Sequence, residues 1–221
     1  MRDYVRLREL LAIVVLLLLA LFLSWNGLHA QTIMTGGNRR VSTAYENPCA
    51  LPFSDSFSGT GALSACWATY TVALQAGGVA TPNTSNEIGF AVLTLTSAPA
   101  SQSAIVSVNW LSNPARSGPM VRANAASGNG YRWEVGSGQL NAVTSGVTVL
   151  ATIGTCPAVN PGDTFQLSIS GSTLTCTDLT TWAGASFTDS ANIYPSGNPG
   201  FTIDGTSETD VGASNFAATS P

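Results

Sequence analysis

From Cys49 onward the sequence is cut into short runs of β-branched and aromatic residues, each ending at a cluster of Gly, Pro, Asn or Ser. Within the runs, side chains alternate. In residues 163–170 (DTFQLSIS), Phe165, Leu167 and Ile169 fall on one side and Gln166, Ser168 and Ser170 on the other. Tyr131, Trp133 and Val135 likewise oppose Arg132 and Glu134. A period of two belongs to a half-buried strand, and a sheet with one apolar face must bury that face against a second sheet. Strands are expected at 53–58, 66–74, 88–96, 103–110, 118–124, 129–136, 139–144, 146–152, 163–170, 172–177, 184–188, 199–204 and 210–218. Asn129-Gly130, Ser137-Gly138, Ser145-Gly146, Pro161-Gly162 and Pro199-Gly200 supply turns. No segment in this region sustains a 3.6-residue apolar period, so the expected class is all-β: a two-sheet antiparallel sandwich of jelly-roll type.

The N-terminal residues are of another kind. Arg2, Arg6 and Arg8 precede an unbroken apolar run from Leu10 to Leu23. As a helix that run is about 21 Å long, short of a bilayer span and suited to the core of a signal peptide. Residues 1–30 are therefore expected to be a signal-peptide helix cut after Ala30, with an uncleaved anchor as the alternative. Cleavage leaves 191 residues, enough for one domain with a real core. Residues 31–48 read as a polar linker and residues 49–219 as the domain, placed on the cell surface or secreted, and not embedded in a membrane.

Four cysteines, Cys49, Cys66, Cys156 and Cys176, suit an oxidising compartment. They allow three connectivities. The local one, Cys49–Cys66 with Cys156–Cys176, is expected because each pair flanks a hairpin-like connection.

Composition excludes several functions. Beyond residue 30 there are five arginines, ten acidic residues and no lysine, a net charge of −5. Such a surface cannot neutralise a row of phosphates, so nucleic acid is not an expected partner. The single histidine, His29, lies in the export segment, which removes His-based triads and a His-containing zinc site. Paired carboxylates remain as catalytic chemistry. Glu208 and Asp210 are the close acidic pair, and Glu134 stands alone on its strand.

Three stretches resemble the concanavalin A-like, laminin G-like jelly-roll superfamily. Phe53-Ser54-Asp55-Ser56-Phe57 with Cys66-Trp67 is similar to its opening strands. Gly118 to Ala123 with Gly130-Tyr131-Arg132-Trp133-Glu134 is similar to its central hairpin. Asn160 to Phe165, Gly171 to Leu174, Phe187 to Ser190 and Ser196 to Phe201 follow the order of its later turns and strands. The resemblance spans about residues 50–218 and implies the fold more than the activity, because this fold carries lectins, glycoside hydrolases and adhesion modules. It also implies calcium, for which Asp55, Asp189, Asp204 and Asp210 supply hard oxygen ligands, Asp55 and Asp210 being the chosen pair.

Strand alternation places Met120, Arg122 and Asn124 on one face and Arg132 with Glu134 on a face of the next strand. The resemblance implies that this face is a concave binding surface. Asn109, Trp110, Asn141 and Gln166 are expected at its edge, a set of amides, guanidinium groups and an aromatic ring suited to sugar. The competing reading is a structural Arg–Glu ladder. Trp182 and Tyr194, in weakly patterned sequence, are the expected exposed aromatics. The leading functional expectation is a non-catalytic, glycan-binding module. A structural or adhesion domain and a glycoside hydrolase are the alternatives.

Overall fold

The computed structural model of the protein describes residues 49–220 apart from 59, 71–72, 77, 83–86, 111–115, 147 and 206–210. The expected export segment, the linker, Glu208 and Asp210 lie outside the described residues. Among the described residues there is no helix, and none therefore long and apolar enough to cross a membrane.

The strands in chain order are β1 (Phe53–Asp55), β2 (Thr60–Ala62), β3 (Trp67–Tyr70), β4 (Ala73–Ala76), β5 (Ala80–Pro82), β6 (Glu87–Leu93), β7 (Gln102–Trp110) and β8 (Gly118–Ala123). They continue with β9 (Gly130–Glu134), β10 (Gln139–Thr144), β11 (Thr148–Thr155), β12 (Thr164–Ser170), β13 (Thr173–Asp178), β14 (Gly184–Thr188), β15 (Asn198–Gly205) and β16 (Val211–Thr219). One sheet has nine strands in the order β14-β13-β12-β7-β16-β5-β4-β2, with β1 also paired to β16. The other has seven, in the order β11-β10-β9-β8-β15-β6-β3. Every pairing recorded between them is antiparallel, from β12 with β13 to β15 with β6.

The period-two runs became these strands, with ends shifted by up to three residues, except that the single strand expected at 66–74 is divided into β3 and β4. Two further short strands were not expected. β2 is Thr-Gly-Ala and β5 is Ala-Thr-Pro, both without the β-branched or aromatic runs that mark a strand. β5 is fully buried and is held by β16 and β4, so tertiary pairing overrides its weak propensity.

The alternation sorts side chains as the sequence requires. Val106, Val108, Phe165, Leu167, Ile169 and Leu174 from the nine-stranded sheet pack in one core with Leu93, Val121, Tyr131, Trp133, Leu140 and Phe201 from the seven-stranded sheet. Each large side chain fully buried in this way contributes about 1.5–3 kcal/mol. Trp67 anchors one end, with ring centroids 4.8 Å from Phe216 and 5.2 Å from Phe201. The disulfides take the expected local connectivity, Cys49–Cys66 and Cys156–Cys176. Loops of these lengths correspond to about 3 kcal/mol each in the chain-entropy model.

Candidate functional site

Arg132 and Glu134 do share the outer face of the seven-stranded sheet, because their neighbours Tyr131 and Trp133 point into the core. Asn141 joins them, directly opposite Arg132 in the β9–β10 register. This face is covered. Arg132 and Asn141 are fully buried and Glu134 nearly so. Arg132 donates to the Gly146 carbonyl and to Glu134 Oε1, and the Ser137 hydroxyl donates to Glu134 Oε2 at 3.0 Å. The cover is built from two turns that hold each other, with Gly146 N donating to Gly128 O at 3.1 Å and Ser145 N donating to Asn129 Oδ1 at 2.8 Å. Both turns lie on the Phe90 ring, and a Cβ at Gly128 or Gly146 would come within 2.4 Å of it. Glycine is required there by close approach as well as by positive φ. The expected open charged surface is thus corrected to a buried ion pair beneath a glycine-bearing cover.

Arg122 does not join the pair. Met120 faces Gly200 and Ala123 faces Asn198, so Val121 and Arg122 together oppose a single residue of β15. That β-bulge, with Arg122 at φ 49°, breaks the alternation on which the expected grouping rested. The Arg122 guanidinium is instead buried among three loops. It donates to Asn192 Oδ1 at 3.2 Å, Tyr194 O at 3.1 Å, Ala100 O at 3.0 Å and Gly171 O at 2.7 Å. Asn124 is exposed and caps a turn, its Oδ1 accepting from Ala126 N and Ser127 N. Asn109 and Gln166 belong to the other sheet, Asn109 next to the core residue Val108 and Gln166 opposite Ile105. Trp110 ends β7, and its side chain lies outside the description.

Three of the four carboxylates expected to hold calcium, Asp55, Asp189 and Asp204, are engaged by hydrogen donors, and the fourth, Asp210, lies outside the described residues. Asp55 accepts from Trp67 Nε1 at 2.9 Å and Phe57 N at 2.8 Å. Asp189 accepts from the Tyr131 hydroxyl and from Ala191 N and Ile193 N. Asp204 pairs with Arg116 at 2.9 Å. Each faces hydrogen donors, whereas a cation needs several oxygens converging on one point. Among the described residues no three His, Cys, Asp or Glu side chains gather.

Burial alone would raise the carboxyl groups of Asp178 and Asp189, but hydrogen bonds outweigh it and hold both below the ordinary carboxylate range. For Asp189 the donors are the Tyr131 hydroxyl and the Ile193, Ala191 and Asn192 amides; for Asp178 they come from Thr181 and Thr180. Burial, then the bond to Asp189, pushes Tyr131 up to about 12, so it remains a donor at neutral pH. A depressed carboxyl pKa contributes stability above the unfolded value and loses it as pH falls through the folded one. Melting temperature should therefore be level from pH 7 to about 5 and drop below about pH 4. Asp189→Asn should lower the neutral plateau and shrink that drop; an unchanged acid limb would remove Asp189 from the account.

Exposed hydrogen-bonding side chains lie on the nine-stranded sheet. Its outer face is set by register: Asn215, Ser107 and Thr164 form one row, and Ser54, Ala217, Ile105, Gln166 and Thr177 form the next. Hydroxyls pair across strands, Ser107 with Thr164 at 2.8 Å, Ser103 with Thr219 at 2.7 Å and Thr175 with Ser186 at 2.8 Å. A cleft of about 410 Å3 opens among Ser54, Asp55, Ser56, Ile105, Ser107, Thr164, Asn215, Phe216 and Ala217. Of these only Asp55 is charged.

Beside this face stands the β13–β14 loop. Trp182 is at its tip, 76% exposed and at φ 61°. The buried Asp178 carboxylate fixes the loop by accepting from Thr180 N at 2.8 Å, Thr181 N at 3.3 Å and the Thr181 hydroxyl at 2.6 Å. Trp182 N donates to Asp178 O at 2.7 Å, closing the turn. The loop docks on Thr164, whose N donates to Thr180 Oγ1 at 3.1 Å and whose carbonyl accepts from Leu179 N at 2.8 Å. Trp182 was expected to be exposed and is. Tyr194 is half-buried, with its hydroxyl on Val143 O at 2.6 Å. The sequence reading missed the cleft. Its signal was present as the polar half of each alternating run, Ser107, Thr164 and Asn215, passed over in favour of charged residues.

No protein-family model matches the chain, and no curated protein matches it. Solved structures do. A mutant of the GH43 protein BlXynB from Bacillus licheniformis matches at TM-score 0.52 and 12% identity, over 76% of this chain. The chain spans only 39% of that protein. The metal-free exoplasmic/lumenal domain of VIP36 matches at TM-score 0.51 and 12% identity, over 76% of this chain and 91% of that one. Its calcium- and Man2-bound form matches at TM-score 0.50 and 11% identity, over 76% and 87%. The described part of this chain has the two-sheet jelly-roll fold of concanavalin A-like domains.

Proposed function

We propose that this chain is an extracytoplasmic, non-catalytic carbohydrate-binding module whose principal contact is Trp182. One observation carries the reading: a bulky residue is held at positive φ and in water by a loop made rigid around it. A left-handed backbone costs a non-glycine residue roughly 1–2 kcal/mol, and an exposed indole returns nothing to the core. Strain that stability does not explain is characteristic of recognition sites. An indole beside hydroxyls and amides is the combination that sugar rings use, a face for C–H groups and an edge of hydrogen bonds.

The neutral cleft next to the loop supports the same ligand class. VIP36, of the same fold, is known in a Man2-bound form. Two disulfides support a location outside the cytoplasm. The cleft contains one carboxylate, Asp55, already engaged by two N–H donors, which favours binding over acid–base hydrolysis. Arg132 and Glu134, expected earlier as ligand contacts, act in this reading as supports beneath the opposite sheet.

Affinity electrophoresis through gels containing mixed-linkage β-glucan, mannan, xylan or alginate tests the proposal. Retardation is expected in at least one of the three neutral polymers. Trp182→Gly should weaken it about 30-fold, as for the loss of a 2 kcal/mol anchor, while leaving the melting temperature unchanged or higher. A variant that binds as well as the parent would overturn the assignment of Trp182. Absence of retardation in every polymer would overturn glycan binding.

A further inference from the structure

We infer that Trp182 and the cleft are one continuous groove that holds several consecutive sugars of a neutral linear polysaccharide, so that chain length sets affinity. The inference rests on the carbohydrate-binding reading and deepens it. The link is Thr164, which lines the cleft through its side chain and carries the Trp182 loop through its backbone. From Thr164 the cleft crosses β12, β7 and β16 and ends at Ser54 and Ser56 beside β1. Three strand spacings are about 14 Å, and the loop lies beyond β12 on the far side. The run is too long for one sugar ring and suits several in a row.

The lining specifies the polymer's chemistry. Ser54, Ser56, Ser107, Thr164 and Asn215 offer both donors and acceptors, which match hydroxyls that also do both. Among the described lining residues there is no cation to pair with a uronate or sulfate, and the one charge, Asp55, is negative and disfavours an anionic chain.

The test uses the full chain with mixed-linkage β-glucan, mannan and xylan, and with the di- to hexasaccharides of whichever polymer binds. Affinity should rise at least tenfold from disaccharide to hexasaccharide. Asn215→Ala combined with Ser54→Ala, both at exposed positions, should abolish that rise. Trp182→Gly should weaken every length alike. Asn215→Arg, which puts bulk into the cleft, provides a second block, and an unchanged melting temperature shows that each variant is folded. Equal affinity for all lengths, or cleft variants that keep the rise, would overturn the groove while leaving Trp182 as a single-sugar site. No binding by the parent to any of the three polymers would overturn the groove and the carbohydrate reading together. Tighter binding to alginate than to the neutral polymers would overturn the neutral specificity.

Discussion

Arg132→Met should lower the free energy of unfolding by about 3–5 kcal/mol, the cost of leaving a buried charge without its partner. Arg132 is fully buried and Glu134 nearly so, and the cover formed by the Gly128 and Gly146 turns keeps water from replacing the lost guanidinium. Burial pushes the Arg132 guanidinium below its ordinary pKa, and Glu134 opposes that shift. The pair therefore survives by mutual satisfaction. Removing both charges should undo most of the damage: Arg132→Met with Glu134→Leu is expected within about 1 kcal/mol of the parent. Urea unfolding of the three proteins, read from midpoints at constant slope, measures the cycle. The double variant should also keep polysaccharide retention, since neither residue reaches the surface. A double variant that is stable but no longer retained would place the ligand on the seven-stranded sheet after all.

Arg122→Ala should be comparably severe, at about 4 kcal/mol, through a different mechanism. Here no carboxylate among the described residues is bonded to the guanidinium. The group is a peg whose four hydrogen bonds join the β6–β7, β12–β13 and β14–β15 connections. Truncation leaves carbonyl oxygens of Ala100, Gly171 and Tyr194 without this donor, and charged hydrogen bonds of this kind are worth roughly 1.5–3 kcal/mol each before relaxation. In a domain of this size the change corresponds to a melting temperature lower by roughly 8–16 °C. Arg122→Lys should recover little, because an ammonium group cannot span the acceptors of a planar fork. A thermal shift under about 3 °C for Arg122→Ala would show that water replaces the peg and that the three loops are held independently.

These residues show what the sequence made legible. The class of fold was readable because burial and alternation coincide: Phe165, Leu167 and Ile169 have no use for an outward position, and the register follows from them. Local disulfide pairing was readable from nearness in the chain, the partners being 17 and 20 residues apart. The site was legible only in part. Alternation grouped Arg132 with Glu134 correctly, but Arg122 needed knowledge of a bulge that depends on β15, nearly eighty residues later in the chain. Whether a sheet face is open depends on loops that fold back over it, and Gly128 and Gly146 read equally well as ordinary turn residues. Charge attracted attention because it is rare in this chain. The uncharged positions Ser107, Thr164 and Asn215 form a surface only after three strands from distant parts of the sequence come into register.

Cys156 follows the edge strand of one sheet, and Cys176 lies in β13 of the other, two residues before the Asp178 that braces the Trp182 loop. The indole is thus tethered through a covalent link to both layers rather than carried on a segment that settles when ligand arrives. Little freedom is left to surrender on capture. Heating should accordingly produce no interval in which the protein is still folded but has lost its grip, so that release and collapse of the sandwich occur as one event.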